Sequence, residues 1–128
     1  PAAEALPAET CLGQWPVQLR LVSPMAGFFV GAGLLLAADC SAFARGDFHA
    51  RYMKGKVTVI GCPKLDPVDY SEKLTEIFRL HNIRSVTLVR MEVPCCGGLE
   101  RAVQKALAAC GRPIPFESVT LSVRGEIL

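Results

Sequence analysis

Residues 56–62, KVTVIGC, contain the clearest strand signal in the chain and end on a cysteine. The run KVTVI is rich in β-branched residues and has a glycine on each side, which predicts a buried β-strand. Two other short apolar runs are LLLAA at 34–38 and SVTLV at 85–89. Continuous apolar runs of this length are typical of strands that are covered on both faces in a parallel sheet.

The segments between and after these strands show helical spacing. A helix is predicted from Asp69, which has capping-box spacing to Glu72, through an apolar face to Asn82. A second helix is predicted over 98–110, with Gly111 as its stop. Weaker patterns predict a half-exposed strand over 15–22, a short helix over 47–53 and a less buried final strand over 119–123.

This alternation of strands and helices predicts the fold class. It indicates a single α/β domain with a mainly parallel, Rossmann- or flavodoxin-like sheet and helices on both faces. Residues 1–13 have a linker-like composition rich in Pro, Ala and Glu, so we expect the domain to occupy residues 14–128.

Composition excludes several classes of protein. Of the 128 residues 51% are hydrophobic, which excludes a disordered chain. The 14 basic and 12 acidic residues nearly balance, which excludes a strongly basic protein that coats nucleic acid. The uncharged stretch 21–38 contains Ser23-Pro24 and three glycines, so it predicts two apolar pieces rather than a membrane span. Six cysteines in a chain that needs no disulfide staples indicate a reducing, cytoplasmic location.

Four of the six cysteines follow predicted strands. Cys40 comes after LLLAA, Cys62 after KVTVI, and the pair Cys95-Cys96 after SVTLV. Because the carboxyl ends of parallel strands meet at one edge of a sheet, where ligands bind in open α/β folds, we expect these thiols to converge there. Cys110 lies on the apolar stripe of its helix and is expected to be a core residue, and Cys11 a bystander.

The residues around these cysteines favour thiolate chemistry. Gly97 and Gly98 follow the cysteine pair at a predicted helix start, where backbone N–H groups and the helix dipole stabilise negative charge on sulfur. Lys64 could offset the charge of a negative centre. An iron–sulfur cluster accepts cysteines from separate loops, which favours it over zinc, whose sites usually contain a C-x₂-C pair. A cysteine-thiolate redox or persulfide enzyme and a structural zinc domain stay open as alternatives.

The chain also resembles a known family in the strings WPVQLRLV at 15–22, AADC at 37–40, GCPKLD at 61–66 and MEVPCCGGL at 91–99. These strings are similar to the C-terminal domain of ferredoxin-like iron–sulfur-binding oxidoreductases of anaerobic bacteria and archaea. The resemblance covers about residues 14–128 and implies that Cys40, Cys62, Cys95 and Cys96 are the cluster ligands. The C-x₂-C-x₂-C-x₃-C motifs of the family's N-terminal half are absent from this sequence.

Together these observations predict a metal-binding redox protein with an iron–sulfur cluster, [4Fe–4S] favoured over [2Fe–2S]. It would transfer electrons between a ferredoxin, or an upstream ferredoxin domain, and a partner oxidoreductase. We expect it neither to bind nucleic acid nor to span a membrane. The sequence leaves open whether the domain is itself an enzyme; if it is, we expect an oxidoreductase. It also leaves open whether the protein forms a homo-oligomer that shares a cluster.

Overall fold

The computed structural model of the protein describes residues 8–128, so the first seven residues of the predicted linker lie outside the described residues. Four strands form one parallel sheet: β1 (Gly33–Ala38), β2 (Val57–Gly61), β3 (Ser85–Met91) and β4 (Phe116–Leu121). Their order across the sheet is β2-β1-β3-β4, and all three pairings are parallel. The predicted α/β class is confirmed.

The strand order determines which face of the sheet each crossover connection covers. The chain moves from β1 to β2 in one direction and from β2 to β3 and then β4 in the other. Since such crossovers are right-handed, the β1–β2 connection covers one face and the later helices cover the opposite face. On the first face lie α1 (Ser41–Ala44) and a π-helical turn (His49–Met53); on the second, α2 (Tyr70–Leu80) and α3 (Gly97–Ala109) pack against each other.

The core lies on both sides of β1. All six residues of β1 are buried, as the continuous run LLLAA predicted, because the strand is central and covered on both faces. Helix α2 adds Leu74, Ile77 and Phe78 to the core, and α3 adds Leu99 and Val103. These helical faces match the periodicity that predicted them.

The predicted strand over 15–22 is wrong. Residue Gln18 makes a single parallel bridge to Ile60, and the chain then turns, with the Leu21 and Val22 amides bonded to the Gln18 carbonyl. Leu19 and Val22 are buried while Leu21 is exposed, so burial does not follow the alternation that suggested a strand. The segment touches the edge of β2, and the Lys73 ammonium in α2 donates to its carbonyls at Leu19, Arg20 and Val22.

Other boundaries differ more modestly. The predicted helix over 47–53 is a π-helical turn that starts at His49, and Val123 of the predicted last strand lies in an exposed turn beyond β4. The uncharged stretch 21–38 divides into a 3-10 turn (Gly27–Phe29) and β1. Within residues 8–128 no helix has the length and apolar character to cross a bilayer.

Candidate functional site

The strands β1 and β3 are neighbours, but the chain leaves them in opposite directions, which makes the gap between their carboxyl ends the switch point of the sheet. Ligands bind at this position in open α/β folds. Cys40 follows β1 at this gap, and Cys95 and Cys96 follow β3 in a 3-10 turn (Pro94–Cys96) that leads into α3. Cys62 follows β2, next to β1.

The cysteines at this edge differ in exposure. Cys40 is exposed, Cys62 and Cys95 are half-buried, and Cys96 is buried. Burial raises the pKa of the Cys96 thiol, a backbone hydrogen bond at Met91 opposes this, and the Cys95 and Cys40 thiols raise it further. Cys40, Cys95 and Cys96 thus lie on the two loops that flank the switch point.

The loop after β2 lies against the start of α3. A Cβ atom on Gly98 would stand 3.0 Å from Pro63 Cβ and 3.1 Å from Pro63 Cγ. The absence of a side chain at Gly98 therefore allows the Cys62-Pro63 loop to approach the Cys95-Cys96 turn. This packing gives Gly98 a role that the sequence analysis did not assign to it.

Hydrogen bonds fix the main chain at Cys62. The Cys62 amide donates to the Tyr70 hydroxyl at 2.9 Å, and that hydroxyl donates to the Asp66 carboxylate. The Cys62 carbonyl accepts from the amides of Leu65 and Asp66. Burial and then the bond to Asp66 raise the pKa of Tyr70 well above its ordinary value, so the hydroxyl keeps its proton.

The start of α2 determines where Tyr70 lies. Asp69 is the N-cap, and its side chain accepts from the Ser71 amide at 3.0 Å. A bond from the Ser71 hydroxyl, and after it this bond from the amide, lowers the pKa of Asp69. The predicted N-cap at Asp69 is confirmed, but the capping box predicted from Asp69 and Glu72 is wrong. The Asp69 side chain bonds to the Ser71 amide, and the Glu72 amide bonds to the Asp69 carbonyl instead.

Positive charge near the cysteine pair comes from two arginines. Arg90 Nη1 lies 3.9 Å from a Cβ placed on Gly97 and 3.9 Å from Glu100 Oε1, which in turn accepts from Ser118. Arg101 folds back along α3, with its NH1 atom 3.1 Å from a Cβ placed on Gly97. The predicted charge partner, Lys64, is exposed in the turn after Cys62.

An apolar cleft of about 380 Å³ opens beside Cys40. Its other walls are Phe43, Ala44, Met91, Val93 and Val123. Phe43 is 92% exposed, which is unusual for a phenylalanine and leaves an apolar ring next to an exposed thiol.

An acidic group lies on the β1 side of the edge. Gln18 donates to the Asp39 carboxylate at 3.2 Å, and Asp66 lies close enough to influence it. Burial raises the pKa of Asp39, an effect that the Gln18 hydrogen bond opposes and the Asp66 charge increases. The 15–22 segment thus supplies a partner to the loop that carries Cys40.

The remaining cysteines lie elsewhere. Cys110 is buried in the core, as its helical position predicted, and its thiol donates to the Leu107 carbonyl at 3.2 Å. The Cys11 amide donates to His49 Nδ1 at 3.0 Å. In the described part of the chain, no three histidine, cysteine or carboxylate side chains already stand at metal-binding spacing.

Sequence reasoning missed three residues of this edge. The sequence analysis assigned no role to Tyr70, Arg90 or Arg101. A signal existed for Arg90, since it is a charged residue within the apolar strand β3. Nothing local marked Tyr70, because its partner Cys62 is eight residues away across a turn.

Comparison with other proteins places the chain in a family. It is 35% identical over 115 residues to an uncharacterized protein of Archaeoglobus fulgidus, in an alignment that covers 89% of this chain and 81% of that relative. No solved structure matches it. A family model for a Rossmann-like domain matches residues 26–128, from the turn before β1 to the end of the chain. In agreement with the four-stranded parallel sheet, the chain belongs to this Rossmann-like domain family.

Proposed function

We propose that this domain binds an iron–sulfur cluster through Cys40, Cys62, Cys95 and Cys96 and transfers electrons between a ferredoxin-type donor and a partner oxidoreductase. The observation that carries the proposal is that the four cysteines follow three neighbouring strands, β2, β1 and β3, at the same carboxyl edge of the sheet. The resemblance of the AADC, GCPKLD and MEVPCCGGL strings to ferredoxin-like iron–sulfur oxidoreductases supports the same four residues.

Four cysteines are the donor set that such a group takes, and in the described residues they would have to move closer together to bind it. Cys40, Cys95 and Cys96 lie on the two loops beside the switch point, and Pro63 brings the Cys62 loop against Gly98 at the start of α3. The raised pKa of Cys96 is compatible with ligation because coordination removes the proton from a thiol. A bound cluster would supply one-electron chemistry at a potential set by its charge, hydrogen bonds and exposure.

The surrounding residues would then set the properties of the site. Gly97 and Gly98 would supply backbone hydrogen bonds at the start of α3, where the Arg90 guanidinium lies near Gly97 and adds a positive charge. Lys64 is exposed on the Cys62 loop and would contribute to docking or long-range charge. The exposed Cys40 gives a partner protein the shortest route to the centre.

Anaerobic purification tests this proposal directly. The protein should be brown, absorb broadly near roughly 400 nm and contain iron and sulfide in equal amounts. Serine at position 40 or 62, or at both 95 and 96, should cost most of the iron, whereas Cys11→Ser should keep it, since Cys11 lies away from this edge. A colourless protein without iron after anaerobic reconstitution would refute the cluster.

A thiol-based reaction is the second candidate, and one observation favours it. The exposed Cys40 lines an apolar cleft of about 380 Å³, as a nucleophile with a bound substrate would. An iron-free protein that loses reaction with disulfide or persulfide reagents in Cys40→Ser would support this candidate. Stoichiometric zinc without colour would instead support a structural metal site.

A further inference from the structure

We propose that Tyr70 is a positioning residue for Cys62, and that it holds the main chain of this one ligand loop in place before any metal binds. The inference rests on the proposed function, because that function explains why Cys62 needs a fixed position. Its evidence is a separate set of contacts. These contacts join Cys62, Asp66 and Tyr70 in a closed cycle of hydrogen bonds.

The cycle uses both polar groups of the Cys62 backbone. The Cys62 amide donates to the Tyr70 hydroxyl at 2.9 Å, and the hydroxyl donates to Asp66 Oδ2. The Asp66 amide then donates to the Cys62 carbonyl at 2.9 Å, which closes the ring. A hydroxyl can accept one hydrogen bond while it donates another, so Tyr70 is able to connect a donor to a carboxylate, and phenylalanine is not.

The tyrosine ring is itself fixed. Tyr70 is only 4% exposed, and a Cβ on Gly61 would lie 2.9 Å from both its Cζ and Oη atoms. The ring therefore occupies the space left by a glycine at the last position of β2. Asp69 caps the helix at the preceding residue, so the start of α2 and the end of β2 hold the hydroxyl in one place.

The cycle is specific to this loop. Asp66 also faces the Arg20 guanidinium at 3.6 Å, which ties the cycle to the segment that touches β2. In the described chain, no side chain hydrogen-bonds to the backbone of Cys40, Cys95 or Cys96. Cys62 therefore differs from the other three proposed ligands, because a side-chain hydroxyl bonds to its backbone.

The matched variants are Tyr70→Phe and Tyr52→Phe. Each removes one hydroxyl, and these are the two tyrosines of the chain. Tyr52 is also buried, but it lies in the π-helical turn on the other face of the sheet, against Phe48. Phenylalanine keeps the ring over Gly61, so Tyr70→Phe removes the bonds without emptying the space.

The first measurement uses the metal-free protein. In Tyr70→Phe, amide hydrogen exchange at Cys62 should rise at least tenfold and its alkylation, followed by mass spectrometry, should accelerate, because the loop opens locally. Exchange at Val59, within β2, should stay as in the wild type, and Tyr52→Phe should change neither reading at Cys62. If the amide exchange rate and the alkylation rate at Cys62 are the same in Tyr70→Phe as in the wild type, the proposal is overturned.

The second measurement uses the reconstituted protein. Tyr70→Phe should shift the electron paramagnetic resonance signature and the reduction potential, while Tyr52→Phe should match the wild type. An unchanged signature and potential in a folded Tyr70→Phe would overturn the positioning role even if iron is bound. If Tyr70→Phe fails to fold, Asp66→Asn is the second variant. It should also increase amide exchange and alkylation at Cys62.

The two proposals fail in different ways. If the wild type never takes up iron, the cluster function is wrong, but exchange and alkylation of the metal-free protein still decide whether Tyr70 holds Cys62. If the wild type takes up iron and Tyr70→Phe is indistinguishable from it, the cluster function stands and the role of Tyr70 is refuted.

Discussion

The loops that follow β1 and β2 begin from adjacent strands and each presents a cysteine, yet they are held in different ways. The Cys62 loop is bound through its own backbone to Tyr70 and Asp66. The Cys40 loop is fixed one residue later, where the buried Ser41 hydroxyl donates to the Ala38 carbonyl at 2.7 Å. Cys40 itself is exposed beside Phe43, whereas Cys62 is half-buried.

This difference indicates a division of roles within one candidate site. A loop with fixed backbone donors keeps its thiol in one position, which suits a ligand that must fit a metal centre. An exposed thiol beside an apolar cleft suits contact with a partner or substrate. We therefore expect changes around Cys62 to affect stability and metal binding together, and changes around Cys40 to separate the two.

The largest effect is expected from Gly61→Ala. The new methyl group would lie 2.9 Å from Tyr70 Cζ and Oη, and the ring is too buried to move away freely. Overpacking of this kind costs about 1–3 kcal/mol, measurable as a lower urea midpoint of unfolding. Gly46→Ala is the control, because a Cβ there meets nothing within 4 Å. Equal midpoints for the two variants would contradict the tight packing of Tyr70 on β2.

A smaller effect is expected from Ser41→Ala on the other loop. It removes a buried hydrogen bond to the Ala38 carbonyl and should cost about 1 kcal/mol of unfolding free energy. Since Cys40 is already exposed, its alkylation rate should change less than twofold, in contrast to Cys62 in Tyr70→Phe. A large rise in Cys40 alkylation would mean that both loops are held equally, and would remove the contrast between them.

The smallest effect is expected from Arg20→Gln. The Arg20–Asp66 pair is 3.6 Å long, and the arginine side chain is 51% exposed, so water and salt screen it. The loss should stay below about 0.5 kcal/mol and should disappear in 1 M salt, as measured by urea unfolding. A loss above about 1 kcal/mol would show that Arg20 is part of the cycle that holds Cys62.

Much of this edge could be predicted because strand ends are encoded locally. The runs at 34–38, 56–60 and 85–89 marked three strands by their apolar and β-branched residues, so the four cysteines could be assigned to one edge. The segment 15–22 misled the same reasoning, since alternation over eight residues also fits a chain that touches a strand once and turns. A short sequence pattern does not specify how many backbone hydrogen bonds the segment forms with the adjacent strand.

The amino-acid sequence alone determined the α/β class, the two long helices, the core face of each and the edge on which the cysteines lie. These depend on periodicity and on residues a few positions apart, which act within one turn or one strand. Only the tertiary structure decided that Pro63 meets Gly98, that Arg90 lies near Gly97 and that the Tyr70 hydroxyl holds the Cys62 amide. Such contacts arise where separate elements pack together, and the geometry of packing is a property of the folded chain rather than of any one segment.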